Sequence, residues 1–188
     1  MEQYRKSPRA RFLDYNGGEY FVTICTHERK HYFGKIVDGE MILSKIGNFV
    51  DVQLRRSGEF SEHISVPIYV VMPNHIHLIV SIGGPSPDSG DPKFLPTPGD
   101  KGFEQRTPNP NLRADSMCQR HIPMLSKYIS SLKGAVTKFA KSSVCEFCWQ
   151  SRFHDHFIRG PKDRSFITEY ILNNVAKWHD DCFNDDEV

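Results

Sequence analysis

The chain has 188 residues, of which 38% are hydrophobic and 12% aromatic, enough for one sizeable core and within the usual size of a single domain. Its formal net charge of +1 excludes a general electrostatic attraction to nucleic acid, so any such binding must come from local clusters of Lys and Arg. No apolar run approaches the roughly 18 to 20 residues that cross a bilayer, and no signal-peptide core follows the basic start, so we expect a cytoplasmic protein without membrane association.

Charge is concentrated at the two ends of the chain. Residues 1–18 form a predicted basic arm that could contact phosphates through Arg5, Lys6, Arg9 and Arg11. Acidic residues crowd the other end, and because such runs usually stay exposed we expect a solvated acidic tail over residues 181–188. Residues 19–180 are then expected to form one domain.

The first third of the chain predicts a strand, a hairpin and a helix. Residues 19–26 are rich in aromatic and β-branched side chains, as strands are. Two short β-rich runs flank Asp38-Gly39, which is a favoured two-residue hairpin connection. Apolar side chains then recur at helical spacing to about residue 57, behind a suitable N-cap at Ser44.

The remaining elements flank a long segment of different composition. Two strands are predicted over residues 64–71 and 76–82, with Pro73 favouring a turn between them. Residues 83–111 are dense in Gly, Pro, Ser and Asp, which predicts a long mobile insertion rather than a second domain. The patterns beyond it predict a helix over residues 125–141, a strand over 153–159 and a helix over 165–177.

This order of elements predicts the fold class. It suits an α+β sandwich of the ferredoxin-like or RRM-like kind, in which helices pack on an antiparallel sheet. In the second of the three predicted helices, Tyr128 shares a face with apolar residues, so we expect it in the core.

The five cysteines are odd in number and scattered, which favours reduced thiols in a chain without an export signal. Cys145 and Cys148 form a C-x-x-C pair that could supply half of a zinc site. A structural zinc site needs four ligands, and no second pair occurs in the sequence. Whether this pair binds a metal is left open.

His75 and His77 are the first candidates for chemistry. Residues two apart on a strand project from the same face, so both imidazoles can converge on one cation. An isolated His-x-His is more often just two polar residues at the start of a strand. Here the pair lies in an apolar run, where uncompensated burial of polar groups is costly. We expect ligands that face the surface, whose replacement leaves the fold largely intact.

Tyr170 and Asn174 are candidates in the last predicted helix. They are four residues apart and therefore lie about one turn apart on the same face. A tyrosine oxygen can form a covalent link to a phosphate, and an amide oxygen can complete the ligand set of a cation. The spacing alone is weak evidence, because it is common in purely structural helices.

At this point the residues match a known family. The chain resembles the single-tyrosine HUH transposases, and more closely the REP-associated tyrosine transposases, from about Tyr20 to Trp178. The resemblance is carried by Tyr20-Phe21-Val22-Thr23 with Thr26, Met72-Pro73-Asn74-His75-Ile76-His77, Trp149-Gln150-Ser151-Arg152-Phe153 and Tyr170-Ile171-Leu172-Asn173-Asn174. The chain departs from the family at Val175, where relatives usually have proline, and in the length of the insertion.

The resemblance implies a site and a reaction. His75, His77 and Asn174 would hold Mg²⁺ or Mn²⁺, and Tyr170 would attack DNA to leave a 5′-phosphotyrosine and a free 3′-hydroxyl. The implied partner is single-stranded or hairpin DNA with REP-like repeats, bound by a monomer or a homodimer. Besides the basic arm, the residues that we expect to contact DNA are Lys133, Lys138, Arg152 and Arg159.

Two other functions are compatible with the same residues. One is a domesticated or inactive protein that binds hairpins without cutting them. The other is a metal-dependent nuclease that uses water, in which Tyr170 is only structural.

Overall fold

The computed structural model describes residues 17–83, 123–143, 146–181 and 183–184. The basic arm, nearly all of the predicted insertion and the last four acidic-tail residues lie outside this range, so the expectations for them stay predictions. In chain order the described elements are β1 (Gly18–Cys25), β2 (Gly34–Val37), β3 (Glu40–Leu43), α1 (Lys45–Arg55), α2 (Ser57–Phe60), β4 (Ile64–Val71), β5 (His75–Ile82), α3 (Met124–Ser143), β6 (His154–Phe157) and α4 (Pro161–Asn173).

The sheet confirms the predicted fold class. Four strands pair antiparallel in the order β4-β5-β1-β6. With the separate β2–β3 hairpin and the short α2 set aside, the chain runs β1, α1, β4, β5, α3, β6 before α4, and these six elements have the β-α-β-β-α-β order of ferredoxin-like folds. In this sheet β1 and β5 are the central strands, and each pairs with a neighbour on both edges. The histidines lie on β5.

The two faces of the sheet are covered by different helices. Alternate residues of β5, from Ile76 to Ile82, join a large core with α1 and α3, which also buries Tyr128 as predicted. The opposite face of β5 carries the other alternation, and there Ile79 packs with Ile167 and Ile171 of α4. The histidines belong to the α4 face.

The β2–β3 hairpin and α1 confirm the local predictions. Asp38 and Gly39 both have positive φ, 52° and 80°, as a two-residue hairpin turn of the favoured hand requires. The Ser44 side chain accepts a hydrogen bond from the backbone N–H of Gly47 at 3.1 Å and so caps α1.

The last helix begins and ends earlier than predicted. α4 spans Pro161–Asn173 rather than residues 165–177, because Pro161, which we expected only to end the preceding strand, suits the first turn of a helix. Asn174 therefore caps the C-terminus, yet its dihedrals remain helical at φ −63° and ψ −42°. Tyr170 and Asn174 thus keep their separation of one turn. None of the described helices is long and apolar enough to cross a membrane.

Candidate metal and tyrosine site

The two histidines begin β5 and project toward α4. In the pairing of β5 with β1, His75 lies opposite Cys25 and His77 opposite Thr23. Their ring centroids are 4.5 Å apart, so the structure brings the pair together as the His-x-His spacing predicts. The side chains are 0% and 1% exposed, and the expectation that they face the surface is wrong: α4 and the segment after it cover them.

Hydrogen bonds orient both imidazole rings. Asn74 donates from Nδ2 to the carbonyl of Phe183 at 2.7 Å, so its Oδ1 is the atom 2.8 Å from His75 Nδ1. An amide oxygen only accepts, which places the proton of His75 on Nδ1 and the lone pair on Nε2. The Nδ1 of His77 lies 2.8 Å from Thr23 Oγ1. Partners of this kind on the far nitrogen are typical of metal-bound histidines.

Burial keeps both imidazoles neutral. Desolvation lowers the pKa of His75 to about 2, with a smaller contribution from the neighbouring charge of His77. Desolvation also lowers the pKa of His77 to about 4. The neutral form is the one that binds a metal ion, so neither ring has to lose a proton to act as a ligand near neutral pH.

Two buried polar atoms, one on β5 and one at the end of α4, have no hydrogen-bond partner among the described residues. They are Nε2 of His75 and Oδ1 of Asn174, and the Asn174 residue is buried. An unpaired buried acceptor costs about 1–3 kcal/mol, whereas a cation would satisfy such atoms. Imidazole nitrogens with amide oxygen fit a divalent transition ion such as Mn²⁺, and oxygen ligands also suit Mg²⁺.

The segment after α4 covers the histidines and contains a residue that the sequence did not single out. Phe183 lies against His75 with a ring separation of 4.6 Å, and Trp178 lies beside the same ring at 6.1 Å. The Asp181 carboxylate reaches the pair, with Oδ2 3.9 Å from His75 Nε2 and its side chain 6% exposed. The expectation of a solvated tail is therefore wrong for Asp181, which is packed into the site.

Tyr170 lies at the outer side of the same cluster. Its hydroxyl is 3.3 Å from His77 Nε2, and its ring meets Phe21 edge-on at 6.0 Å. Ile167 and Ile171 anchor α4 against the sheet, which fixes the tyrosine over the histidines. The residue is 41% exposed, whereas both histidines are buried.

The residues expected to contact DNA lie in varied surroundings. Lys138, Arg152 and Arg159 are exposed. Lys133 is partly buried and donates from Nζ to the carbonyls of Gln150 at 2.7 Å and Arg152 at 3.4 Å, so it ties α3 to the segment before β6. Arg5, Lys6, Arg9 and Arg11 lie outside the described residues, as does Cys145, while Cys148 is an exposed thiol.

Comparison with known proteins gives one relative and a shared fold. No protein-family model matches the chain. A protein of Haemophilus influenzae without assigned function is 29% identical over 185 residues, which cover 95% of this chain and 92% of the relative. A REP-associated tyrosine transposase solved with a REP hairpin matches 95% of this chain and 74% of its own, at 18% identity and a TM-score of 0.52. The chain has the fold of that transposase.

A second solved protein, from Deinococcus radiodurans, is 15% identical over 90% of this chain and 97% of its own length. Its TM-score is 0.44.

Proposed function

We propose that this protein is a single-tyrosine transposase of the REP-associated kind, which cuts and rejoins single-stranded DNA beside a hairpin. The observation that carries the proposal is the position of Tyr170. Its hydroxyl contacts His77 at 3.3 Å from the solvent side of a buried His-x-His pair. A nucleophile at the accessible edge of a metal-binding pair suits an attack on a phosphate.

His75, His77 and Asn174 would hold the divalent ion, Mg²⁺ or Mn²⁺. The two atoms without partners, His75 Nε2 and Asn174 Oδ1, support this ligand set. When bound, the ion would act as a Lewis acid that polarises the scissile phosphate. Thr23 and Asn74 orient the two imidazoles from their far nitrogens.

The chemical step is a transesterification at phosphorus. The oxygen of Tyr170 forms a bond to the phosphorus, and the bond from phosphorus to the 3′ oxygen of the preceding nucleotide breaks. The departing oxygen ends as a 3′-hydroxyl with the proton that the phenol gives up, and the DNA 5′ end stays on the tyrosine. The phosphotyrosine conserves the energy of the broken bond, so a second 3′-hydroxyl can reverse the step and join new ends.

DNA recognition is part of the proposal. One solved protein with this fold is a transposase bound to a REP hairpin, and we propose the same class of ligand here, bound by a monomer or a homodimer. The exposed Lys138, Arg152 and Arg159, with the basic arm, would contact phosphates, a mode of binding that weakens steeply with salt. Lys133 would act through the segment that it holds.

A denaturing gel with labelled hairpin DNA and Mn²⁺ tests the reaction. The native protein is expected to give a covalent adduct that Tyr170→Phe abolishes. Tyr128→Phe is the matched control, because that tyrosine is 1% exposed in the core and its loss of one hydroxyl should leave the adduct intact.

Two outcomes would contradict the proposal and identify the alternatives. Free cleaved product from the Tyr170→Phe variant would indicate a nuclease that activates water. Hairpin binding without any cleavage by the native protein would indicate a domesticated or inactive binding protein.

A further inference from the structure

The strongest unassigned feature of the molecule is the buried carboxylate beside the histidine pair. We infer that Asp181 is a ligand of the same divalent ion, supplied by the segment that follows α4. The inference rests on the metal requirement of the proposed function, but it concerns a residue outside both the His-x-His and the Tyr-x-x-x-Asn patterns.

Geometry is the first support. Ligand atoms of His75, His77 and Asp181 all lie within 4.8 Å of one another. The Asp181 Oδ2 is 3.9 Å from His75 Nε2, too far for a hydrogen bond. Metal bonds of about 2.1 Å allow two ligands of one ion to lie as much as roughly 4.2 Å apart, so only a small closing movement is needed.

The second support is that the chain holds Asp181 in place. Its Oδ1 accepts a hydrogen bond from the backbone N–H of Phe183 at 2.9 Å, which leaves Oδ2 directed toward the histidines. The segment is anchored on both sides, by Trp178 packed between His31 and His75 and by the bond from Asn74 to the Phe183 carbonyl. The bond from Asn74 also connects this segment to the residue that orients His75.

The third support is chemical. Two neutral imidazoles and one amide leave the full +2 charge of an ion in a buried place, where an uncompensated charge is costly. A carboxylate reduces that charge to +1 and adds a hard oxygen donor, the kind that Mg²⁺ and Mn²⁺ prefer. A packed carboxylate that is 6% exposed gains in turn from a cation beside it.

The experiment is a titration of the full-length, DNA-free protein with Mn²⁺, followed by the electron paramagnetic resonance signal of the free ion. Asp181→Asn keeps the size and the hydrogen bond to Phe183 but removes the charge, and we expect at least a tenfold weaker affinity. Asp38→Asn is the matched control: it makes the same change in the exposed β2–β3 turn and should bind as the native protein does. Equal affinity in Asp181→Asn and the native protein would overturn the inference.

A second pair of variants keeps the test decisive if Asp181→Asn does not fold. Asp181→Glu and Asp181→Gln have equal length and differ in charge, so tighter binding by the Glu variant supports ligation and equal binding contradicts it. The titration contains no DNA, so its result is separate from the cleavage reaction. Absence of Mn²⁺ binding by the native protein overturns the ligand role and the metal in the proposed function together. If Asp181→Asn binds Mn²⁺ tenfold more weakly but the native protein forms no covalent adduct with DNA, the ligand role of Asp181 is supported and only the transposase activity is contradicted.

Discussion

The two faces of the sheet differ in what they bury. Toward α1 and α3, the strands contribute aliphatic and aromatic side chains to a large continuous core. Toward α4, the buried apolar cluster among the described residues is small, namely Ile79, Ile158, Ile167 and Ile171, and this side of the molecule also buries polar side chains: Thr23, Asn74, His75, His77 and Asn174. The first face stabilises the fold through apolar burial. The second face buries polar groups, which costs part of that stability.

The largest expected effect breaks the apolar face. Leu78 is fully buried in the main core, and Leu78→Ala is expected to lower the free energy of unfolding by about 2–5 kcal/mol through lost burial and the cavity left behind. Urea unfolding followed by circular dichroism measures it. Leu172→Ala is the control, since this leucine is 68% exposed on α4 and its loss should change stability by less than about 0.5 kcal/mol. Similar losses in both variants would contradict the assignment of the core.

The polar face is expected to weaken in acid. The pKa values of His75 and His77 are lowered to about 2 and about 4 in the folded protein, whereas they are about 6.5 in the unfolded chain. Below pH 6.5 these two histidines therefore bind protons in the unfolded chain but stay neutral in the folded protein, so the free energy of unfolding falls. Between pH 7 and pH 5, each histidine is expected to lower the free energy of unfolding of the metal-free protein by roughly 2 kcal/mol.

Urea midpoints measured in chelator at several pH values check this expectation. A His75→Asn, His77→Asn double variant should lose most of the slope over that interval. An unchanged slope in the double variant would show that other groups cause the acid sensitivity.

A smaller change tests whether a buried hydroxyl of the α4 face contributes to metal binding by orienting a histidine. Thr23→Val keeps the shape of the side chain but removes the oxygen 2.8 Å from His77 Nδ1. Loss of such an orienting partner typically weakens metal affinity about 10- to 100-fold, and a Mn²⁺ titration would show it. Thr137→Val, which removes a hydroxyl bonded within α3, should leave the affinity unchanged. Native affinity in Thr23→Val would contradict the orienting role.

The smallest expected effect lies at a polar contact of the apolar face. Tyr69 donates its hydroxyl to Asp51 at 2.7 Å, and burial together with that carboxylate raises the pKa of Tyr69 to about 12. Tyr69→Phe is expected to cost about 0.5–1.5 kcal/mol at pH 7, the net value of one hydrogen bond. The native protein should lose this contribution as pH rises from 10 toward 12, because only the unfolded chain then ionises readily. Thermal unfolding of the native protein and of Tyr69→Phe at pH 7 and at pH 12 measures the two contributions. Equal stability of the variant and the native protein at pH 7 would contradict the prediction.

Local patterns were sufficient to predict the elements and the histidine pair. The strand of Thr23, the hairpin at Asp38-Gly39 and the helix capped by Ser44 follow from side-chain types and short spacings, which act within a few residues. His75 and His77 could be placed on one face because a strand alternates with period two. The convergence of Tyr170 on them came from family resemblance, since its spacing in a helix is common.

The remaining features depend on distant contacts that no local pattern contains. Asp181 lies in an acidic run that resembles a solvated tail, and only its packing with Trp178 and Phe183 against β5 brings it to the histidines. The orienting role of Thr23 depends on its register with His77, which joins residues 54 positions apart. The early start of α4 was missed because Pro161 is compatible with both a strand end and a helix start.

The alignment of β5 with β1 also limits how the gene for this protein can change. Every residue of β5 is assigned to one of two unlike environments by its position in an alternation of period two. Insertion or deletion of a single residue between His77 and Ile82 would send one part of the strand to the wrong side. Imidazoles would then enter the aliphatic core, or aliphatic side chains would replace them beside Tyr170. Point substitutions in this strand can be graded in their effect, whereas a change in its length removes stability and chemistry together.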